Sequence, residues 1–147
     1  MIFVIAGEPS FEELIKEIDR IVPELKEPVI AQIGNGKYIP KNCKWFRVHF
    51  PLYPYYKKAD IIVSHHGAGT IFEVLKFHKK LICVENAFKG RNPDLMSELS
   101  KGGYLIDCKK ISDLKKCISL ARKTKIKKYK SPKCEIGETI IKFLNRD

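Results

Sequence analysis

The sequence contains no apolar run that approaches the roughly 20 residues needed to span a bilayer. Residues 2–6 also lack the basic start of a signal peptide and predict a buried strand instead. No CxxC pair and no zinc-like Cys/His spacing occurs among the five cysteines, which are Cys43, Cys83, Cys108, Cys117 and Cys134. A scattered, odd-numbered set indicates a reducing, cytoplasmic location and thiols that fill the core rather than react.

Arginine is scarce, with five residues in a chain of net charge +11. The charge is concentrated in the basic segment, residues 109–133, which holds eleven basic residues and one acidic residue. Such a field favours an anionic partner, which is a membrane surface, a nucleic acid or an acidic protein face. Because arginine is the usual bidentate reader of bases and phosphates, the lysine excess fits diffuse attraction better than the reading of a base sequence. The alternative is a lysine-rich surface that is only solvated.

Strand and helix patterns alternate along the whole chain. We predict strands at residues 2–6, 29–33, 45–48, 61–64, 81–84 and 104–106. We predict helices after the N-caps Ser10 and Ser112, a helical turn within 51–58, and helices near 68–77, 94–100 and 136–144, the last amphipathic. On the 68–77 helix, His78 is expected to extend the apolar face. This alternation predicts one domain, 1–147, with an α/β fold: a Rossmann-like, doubly wound parallel sheet of about six strands.

The most informative stretch is 59–73, where an apolar strand enters a glycine-rich corner that opens directly into a helix. Backbone N–H groups and the helix dipole at such a corner suit a nucleotide diphosphate. The candidate phosphate-binding residues are Gly67, Ala68, Gly69 and Thr70. Glu73 follows near the mouth of the site, where a carboxylate accepts hydrogen bonds from ribose hydroxyls. The alternatives are an ordinary tight turn and an acid that only stabilises the helix dipole.

Two adjacent histidines, His65 and His66, precede this corner. Neighbouring strand side chains point to opposite faces, so the pair is unsuited to one metal ion, and we predict no metal site. We take His65 as the candidate catalytic residue, donating a hydrogen bond to phosphate. Gly7 and Asn35 also follow strand ends that would line the same edge. Both residues are candidate donor ligands, although their loops could simply turn the chain.

Taken in order, these pieces resemble the C-terminal, sugar-nucleotide-binding half of glycosyltransferase family 28. The resemblance covers roughly residues 1–108. It is carried by Gly7, by Gln-Ile-Gly-Asn-Gly at 32–36, by the stretch from Tyr53 to Asp60 and by Ser-His-His-Gly-Ala-Gly-Thr with Glu at 64–73. Within the family, the chain looks like the small catalytic subunits of two-part UDP-N-acetylglucosamine transferases of lipid-linked oligosaccharide assembly. It also looks like small subunits of bacterial exopolysaccharide synthesis.

The resemblance implies that residues 67–70 bind the diphosphate of UDP and that Glu73 binds its ribose. Family enzymes have two Rossmann-like halves in a GT-B arrangement, so this chain would be one half. A membrane-anchored partner subunit would hold the acceptor, and no cofactor or metal is implied beyond the UDP-sugar donor. The chain departs from the family at His66, where glycine is usual, and at Asn92 and Pro93, where a His-Gln pair reaches the ribose or sugar. Asn92 is therefore a candidate ligand, and the identity of the sugar stays open.

The resulting hypothesis is the donor-binding subunit of an inverting transferase. It would pass a sugar, N-acetylglucosamine in the first place, from a UDP-sugar to a lipid-linked acceptor at the cytoplasmic membrane face. A degenerate half that binds nucleotide or a partner without transferring sugar is the first alternative. A nucleic-acid-binding domain, suggested by the basic segment, is the less favoured one.

Overall fold

Six strands form one fully parallel sheet in the computed structural model, which describes residues 1–7, 10–86 and 93–145. The strands are β1 (Ile2–Ile5), β2 (Val29–Gln32), β3 (Lys44–Phe46), β4 (Ile61–His65), β5 (Lys80–Val84) and β6 (Ile106–Cys108). Their order is β3-β2-β1-β4-β5-β6, so the chain builds outward from β1 and then crosses back to continue from β4. The predicted α/β fold with a six-stranded parallel sheet is therefore confirmed.

Helices cover both faces of this sheet. They are α1 (Glu12–Leu25), α2 (Tyr53–Lys58), α3 (Ala68–Leu75), α4 (Pro93–Lys101) and α5 (Leu114–Lys123), with a 3₁₀ helix at Ile111–Asp113. A further helix, α6 (Ile136–Leu144), buries none of its residues. Along β1, Ile2 and Val4 pack in the core with α1 and α5, whereas Phe3 and Ile5 pack in the core with α2, α3 and α4. Burial on both faces explains why the inner strands are continuously apolar.

The predicted boundaries of the last strand and of the third helix are wrong. Strand β6 begins at Ile106 rather than at Tyr104, because the N–H of Tyr104 donates to Leu99 O (2.9 Å) and keeps Tyr104 in the turn that ends α4. Helix α3 ends at Leu75, and His78 adopts a left-handed φ of 52°. The chain has left the helix by then, so His78 is exposed instead of extending the apolar face.

Both predicted serine caps are also wrong. The N-cap residue of α1 is Phe11, and the hydroxyl of Ser10 instead donates to Ile33 O at 2.7 Å, which ties the loop after β1 to the end of β2. Ser112 lies inside the 3₁₀ helix and makes no capping hydrogen bond. Ser10 thus joins two segments that are distant in the chain, which local sequence does not reveal.

A buried carboxylate, Asp19, fastens α1 to the segment before β3. It accepts hydrogen bonds from the hydroxyl of Tyr38 (2.8 Å) and from the backbone N–H groups of Lys41 (3.0 Å) and Asn42 (2.6 Å). Burial by itself would raise the pKa of Asp19, but these hydrogen bonds favour the ionised form and bring the pKa below its ordinary value. Asp19 is therefore a pH-sensitive contributor to stability.

The thiols are all free. Cys83 and Cys108 are buried, and burial raises the pKa of both. Burial likewise raises the pKa of Cys43 to about 11, so these three thiols stay protonated and unreactive near neutral pH. Cys134 is exposed, so the prediction of core-filling thiols does not extend to it. Among the described residues, no helix is both long enough and apolar enough to cross a bilayer.

Candidate functional site

The carboxyl ends of β1 and β4 lie side by side in the middle of the sheet. From β1 the chain continues through α1 on one face, and from β4 it continues through α3 on the other. Diverging connections of this kind open a crevice where ligands of parallel α/β sheets bind. Gly7 follows β1 and Gly67 follows β4, so the two predicted glycine loops meet at this crevice.

The imidazole ring of His65 lies between those glycines. A Cβ built on Gly7 would lie 2.1 Å from His65 Nε2, and one built on Gly67 would lie 2.4 Å from His65 Cε1. Gly7 also has a φ of +74°, which side-chain-bearing residues rarely adopt. The ring is partly buried. Glycine at both positions is therefore what leaves room for His65 at the crevice.

Helix α3 begins directly at this point. Gly67 is its N-cap residue, with its carbonyl accepting from Ile71 N–H at 3.0 Å, and no side chain caps the helix. The backbone N–H groups of the first turn belong to Ala68, Gly69 and Thr70. A Cβ on Gly69 would meet no atom within 4 Å, so the surface of this turn is open. The arrangement presents N–H groups and the positive end of a helix dipole to an anion.

Glu73 lies on the second turn of α3, and its position is set by a tyrosine that the sequence analysis missed. The hydroxyl of Tyr56, in α2, donates to Glu73 Oε2 at 3.2 Å. Tyr56 is fully buried, whereas Glu73 is exposed. Burial, and then the neighbouring carboxylate, raises the pKa of Tyr56, so its hydroxyl remains a donor. Because dipole effects fade beyond the first turn, the dipole explanation for Glu73 is weak.

His66 points away from His65 and ties the corner to the far strand. Its Nε2 donates to Asp107 Oδ1 at 3.1 Å, and both side chains are nearly inaccessible, with 5% and 7% exposure. Lys109 Nζ lies 2.5 Å from the other oxygen of the same carboxylate. The opposite orientations of the two histidines agree with the prediction from strand geometry. Replacing the family's usual glycine by His66 thus adds an anchor between the β4–α3 corner and β6.

The turn after β2 is held by an arginine. Nη1 of Arg47 donates to Gly34 O at 3.2 Å and to Gly36 O at 2.9 Å. Gly34 has a φ of +57°, so this glycine is required by the turn itself. Asn35 is exposed at the tip of this turn, which follows β2; the neighbouring strand is β1, and Gly7 lies in the loop after it. The structure therefore places Asn35 at the same edge of the sheet as the crevice, as expected from the strand order.

Two buried side-chain oxygens near this edge have no hydrogen-bond partner among the described residues, Gln32 Oε1 and Ser64 Oγ. Both residues stand in register with Ile5, the last residue of β1, from the strands on its two sides. Orphaned polar atoms are uncommon in folded proteins and concentrate at functional positions. Periodicity alone could not single them out, because they continue apolar strands.

The last predicted ligand, Asn92, lies outside the described residues, in the connection between β5 and α4. Pro93, its neighbour, is the first residue of α4. Within the described ranges no group of three or more His, Cys, Asp or Glu side chains is arranged to hold a metal ion. The structure thus brings Gly7, His65 and residues 67–70 together, with Glu73 farther along the same helix.

Sequence and structure comparisons identify the family. The model of the glycosyltransferase family 28 C-terminal domain matches residues 1–140. The human UDP-N-acetylglucosamine transferase subunit ALG13 is 30% identical over 122 residues, which cover 73% of this chain and 11% of the human protein. The subunit of the same name from Debaryomyces hansenii is 29% identical over 115 residues, covering 65% of this chain and 54% of the yeast protein. The chain therefore spans about a tenth of the human relative and about half of the yeast one.

Among solved structures, the solution NMR structure of ALG13 superposes with a TM-score of 0.65 at 16% identity, covering 95% of this chain and 93% of that one. MurG of Acinetobacter baumannii gives a TM-score of 0.65 at 16% identity, covering 82% of this chain and 40% of that one. At this identity the superpositions establish the fold, which is that of the C-terminal half of GT-B glycosyltransferases. Together with the match over nearly the whole length, they show that the chain belongs to the glycosyltransferase family 28 C-terminal domain family.

Proposed function

We propose that this chain binds a UDP-sugar donor and works as one subunit of a two-part glycosyltransferase. The observation that carries the proposal is the crevice between β1 and β4, where His65 lies between Gly7 and Gly67 beside the open start of α3. The human and yeast relatives are named as UDP-N-acetylglucosamine transferase subunits, which agrees with a site for a nucleotide diphosphate. N-acetylglucosamine is accordingly the first sugar to test.

Each residue of the crevice has a role in this proposal. The N–H groups of Ala68, Gly69 and Thr70, with the dipole of α3, bind the diphosphate, and the hydroxyl of Thr70 adds a further donor. His65 donates a hydrogen bond to a phosphate oxygen. Glu73, held by Tyr56, accepts hydrogen bonds from the ribose hydroxyls. Gly7, Asn35 and Asn92 are the remaining proposed ligands of the donor.

The proposed chemistry is a displacement at the anomeric carbon with inversion. The acceptor hydroxyl oxygen forms a bond to that carbon while the bond from the carbon to the β-phosphate oxygen breaks. UDP leaves with the electron pair, so negative charge grows on the diphosphate in the transition state. Fixed N–H donors, the dipole of α3 and His65 act where this charge develops. The acceptor proton passes to a base, which we assign to the partner subunit.

The partner subunit in this proposal carries the acceptor and the membrane anchor. The human and yeast relatives are named as transferase subunits, which supports a two-part enzyme. We therefore place the complex at the cytoplasmic face of a membrane, where a lipid-linked acceptor is available. The sugar that is transferred and the acceptor lipid are matters for direct assay.

Calorimetric titration with UDP, UDP-N-acetylglucosamine and ADP tests the donor site. We expect the two uridine nucleotides to bind and ADP to bind much more weakly. Glu73→Ala removes hydrogen bonds to ribose, and we expect a loss of about 2 kcal/mol, or roughly 30-fold in Kd. The matched control is Glu98→Ala, since Glu98 is an exposed acid whose surface ion pair with Lys101 spans 3.7 Å. Equal affinities for Glu73→Ala and the wild type would refute the ribose role.

Pro93 favours a second candidate, a family member that binds nucleotide but does not transfer sugar. Proline suits the first position of α4, yet it offers no side-chain hydrogen bond where the family carries glutamine. Co-expression with a membrane-anchored partner, followed by a transfer assay from UDP-N-acetylglucosamine, separates the candidates. Donor binding without transfer by the complex would select the second one.

A further inference from the structure

The C-terminal helix α6 presents a wide apolar face to solvent. Its five large apolar side chains are Ile136, Ile140, Ile141, Phe143 and Leu144, each between 51% and 72% exposed. With 3.6 residues per turn they occupy an arc of about 160°, and the polar residues Glu138, Thr139 and Lys142 lie opposite. Every residue from 131 to 145 is exposed. A contiguous apolar surface of this kind on a soluble domain marks an interaction site.

The chain immediately before α6 is strongly and uniformly positive. Residues 122–133 contain seven basic side chains and no acidic one. Within the part of the chain that the structure describes, two of the seven make ion pairs, Arg122 with Glu27 (2.5 Å) and Lys133 with Glu138 (3.2 Å). Lys123, Lys125, Lys127, Lys128 and Lys130 are exposed. Positive charge and apolar surface therefore follow each other directly along the chain.

Two sets of contacts fasten this part of the basic segment to the domain. The ring of Tyr129 contacts the rings of Phe72 (5.8 Å) and Tyr104 (5.5 Å), and the N–H of Lys127 donates to Gly103 O at 2.9 Å. Residues 127 and 129 are therefore held against α3 and against the turn between α4 and β6.

We propose that α6 and the lysines of residues 122–133 form one docking surface for an anionic lipid bilayer. An amphipathic helix inserts its apolar face at the headgroup boundary while neighbouring lysines attract anionic lipids. Charge complementarity selects this occupant, because the lysine cluster matches a uniformly negative surface. A second copy of the chain would bring two such clusters together, which like-charge repulsion disfavours.

Vesicle flotation with the full chain tests the proposal without any nucleotide, so its outcome is independent of donor binding. We expect the chain to float with vesicles of phosphatidylcholine and phosphatidylglycerol in a two-to-one mixture and to stay behind with phosphatidylcholine alone. Binding should fall steeply between about 0.1 M and about 1 M salt, over which the Debye length shrinks from roughly 10 Å to roughly 3 Å. Equal binding to both vesicles, or none to either, would overturn the proposal.

Paired variants separate the two components of the surface. Each lysine near an anionic bilayer contributes roughly fivefold to partitioning, so Lys125, Lys128 and Lys130→Gln together should lower it about 100-fold. Lys44, Lys58 and Lys101→Gln remove the same charge from exposed positions elsewhere and should have little effect.

For the apolar component, Phe143→Ser should lower partitioning into the bilayer more than tenfold, because the variant lacks the phenylalanine side chain that the wild type transfers out of water. Val48→Ser, at another exposed apolar position, is its control. All substituted positions are exposed, so folding should be preserved; circular dichroism verifies this. If Phe143→Ser abolishes self-association in sedimentation while leaving flotation unchanged, α6 pairs with a second copy and the bilayer proposal is wrong.

Discussion

Replacing Gly67 by alanine tests whether His65 occupies the crevice between β1 and β4. Gly67 has φ −77° and ψ 114°, values that any residue adopts, so the substitution brings no backbone strain. The new Cβ, however, would lie 2.4 Å from His65 Cε1 and 3.0 Å from Nδ1, well inside van der Waals contact. The ring or the backbone must move, and overpacking of this kind costs about 1–3 kcal/mol of unfolding free energy.

Gly7 provides a comparison in which the same clash is combined with strain. A Cβ there would lie 2.1 Å from His65 Nε2, and the φ of +74° adds a cost of about 1–2 kcal/mol for a non-glycine residue. In a His65→Ala background the clash is gone at both positions. Gly67→Ala should then cost almost nothing, whereas Gly7→Ala should keep about 1–2 kcal/mol.

Urea unfolding of the single and double variants measures these differences as a double-mutant cycle. Gly69→Ala is the control, because its Cβ meets nothing within 4 Å and alanine favours the helix by about 0.5–1 kcal/mol. We also expect His65→Ala to weaken UDP binding about tenfold, by the loss of one hydrogen bond to phosphate worth about 1.5 kcal/mol. Equal costs of Gly67→Ala in both backgrounds would refute the placement of His65.

Three further predictions follow from buried polar contacts. Tyr56→Phe keeps the buried ring but removes the hydroxyl that holds the Glu73 carboxylate. UDP affinity should therefore fall about threefold to tenfold, with little change in the unfolding free energy measured in urea. A large loss of unfolding free energy with unchanged affinity would contradict the positioning role. Asp19→Asn should cost about 1–3 kcal/mol near pH 7. The pKa of Asp19 is lowered in the folded state, so its contribution to stability is present above the unfolded pKa of about 4 and is lost as the pH falls through the folded pKa. The variant should therefore lose less stability than the wild type between about pH 5 and pH 2. Parallel urea midpoints of the two proteins across that range would exclude the effect. His66→Ala removes one of two partners from the buried Asp107 and should cost about 1–3 kcal/mol in the same assay, and a neutral result would mean that the pair does not anchor the corner.

Local pattern predicted most of the fold because each element carries its own periodicity. Apolar strands buried on both faces and amphipathic helices between them leave a doubly wound parallel sheet as the consistent arrangement. The errors occur where the same local residue pattern is compatible with two different structures. Ser10 looks like a cap but bonds to Ile33 O across the sheet, and the apolar residues after Gly103 begin the strand only once Tyr104 has closed the turn of α4.

The alternation of elements, the glycine corner before α3 and the concentration of lysine near the C-terminus can all be recognised in the sequence, since each depends on residues close together in the chain. Only the folded chain reveals that Tyr56 holds Glu73 across 17 residues and that His66 reaches Asp107 across 41. It also reveals that one histidine of the pair lies between two glycines and that α6 remains uncovered. These contacts depend on which strands become neighbours and which face each helix covers, and short-range periodicity carries no information about either.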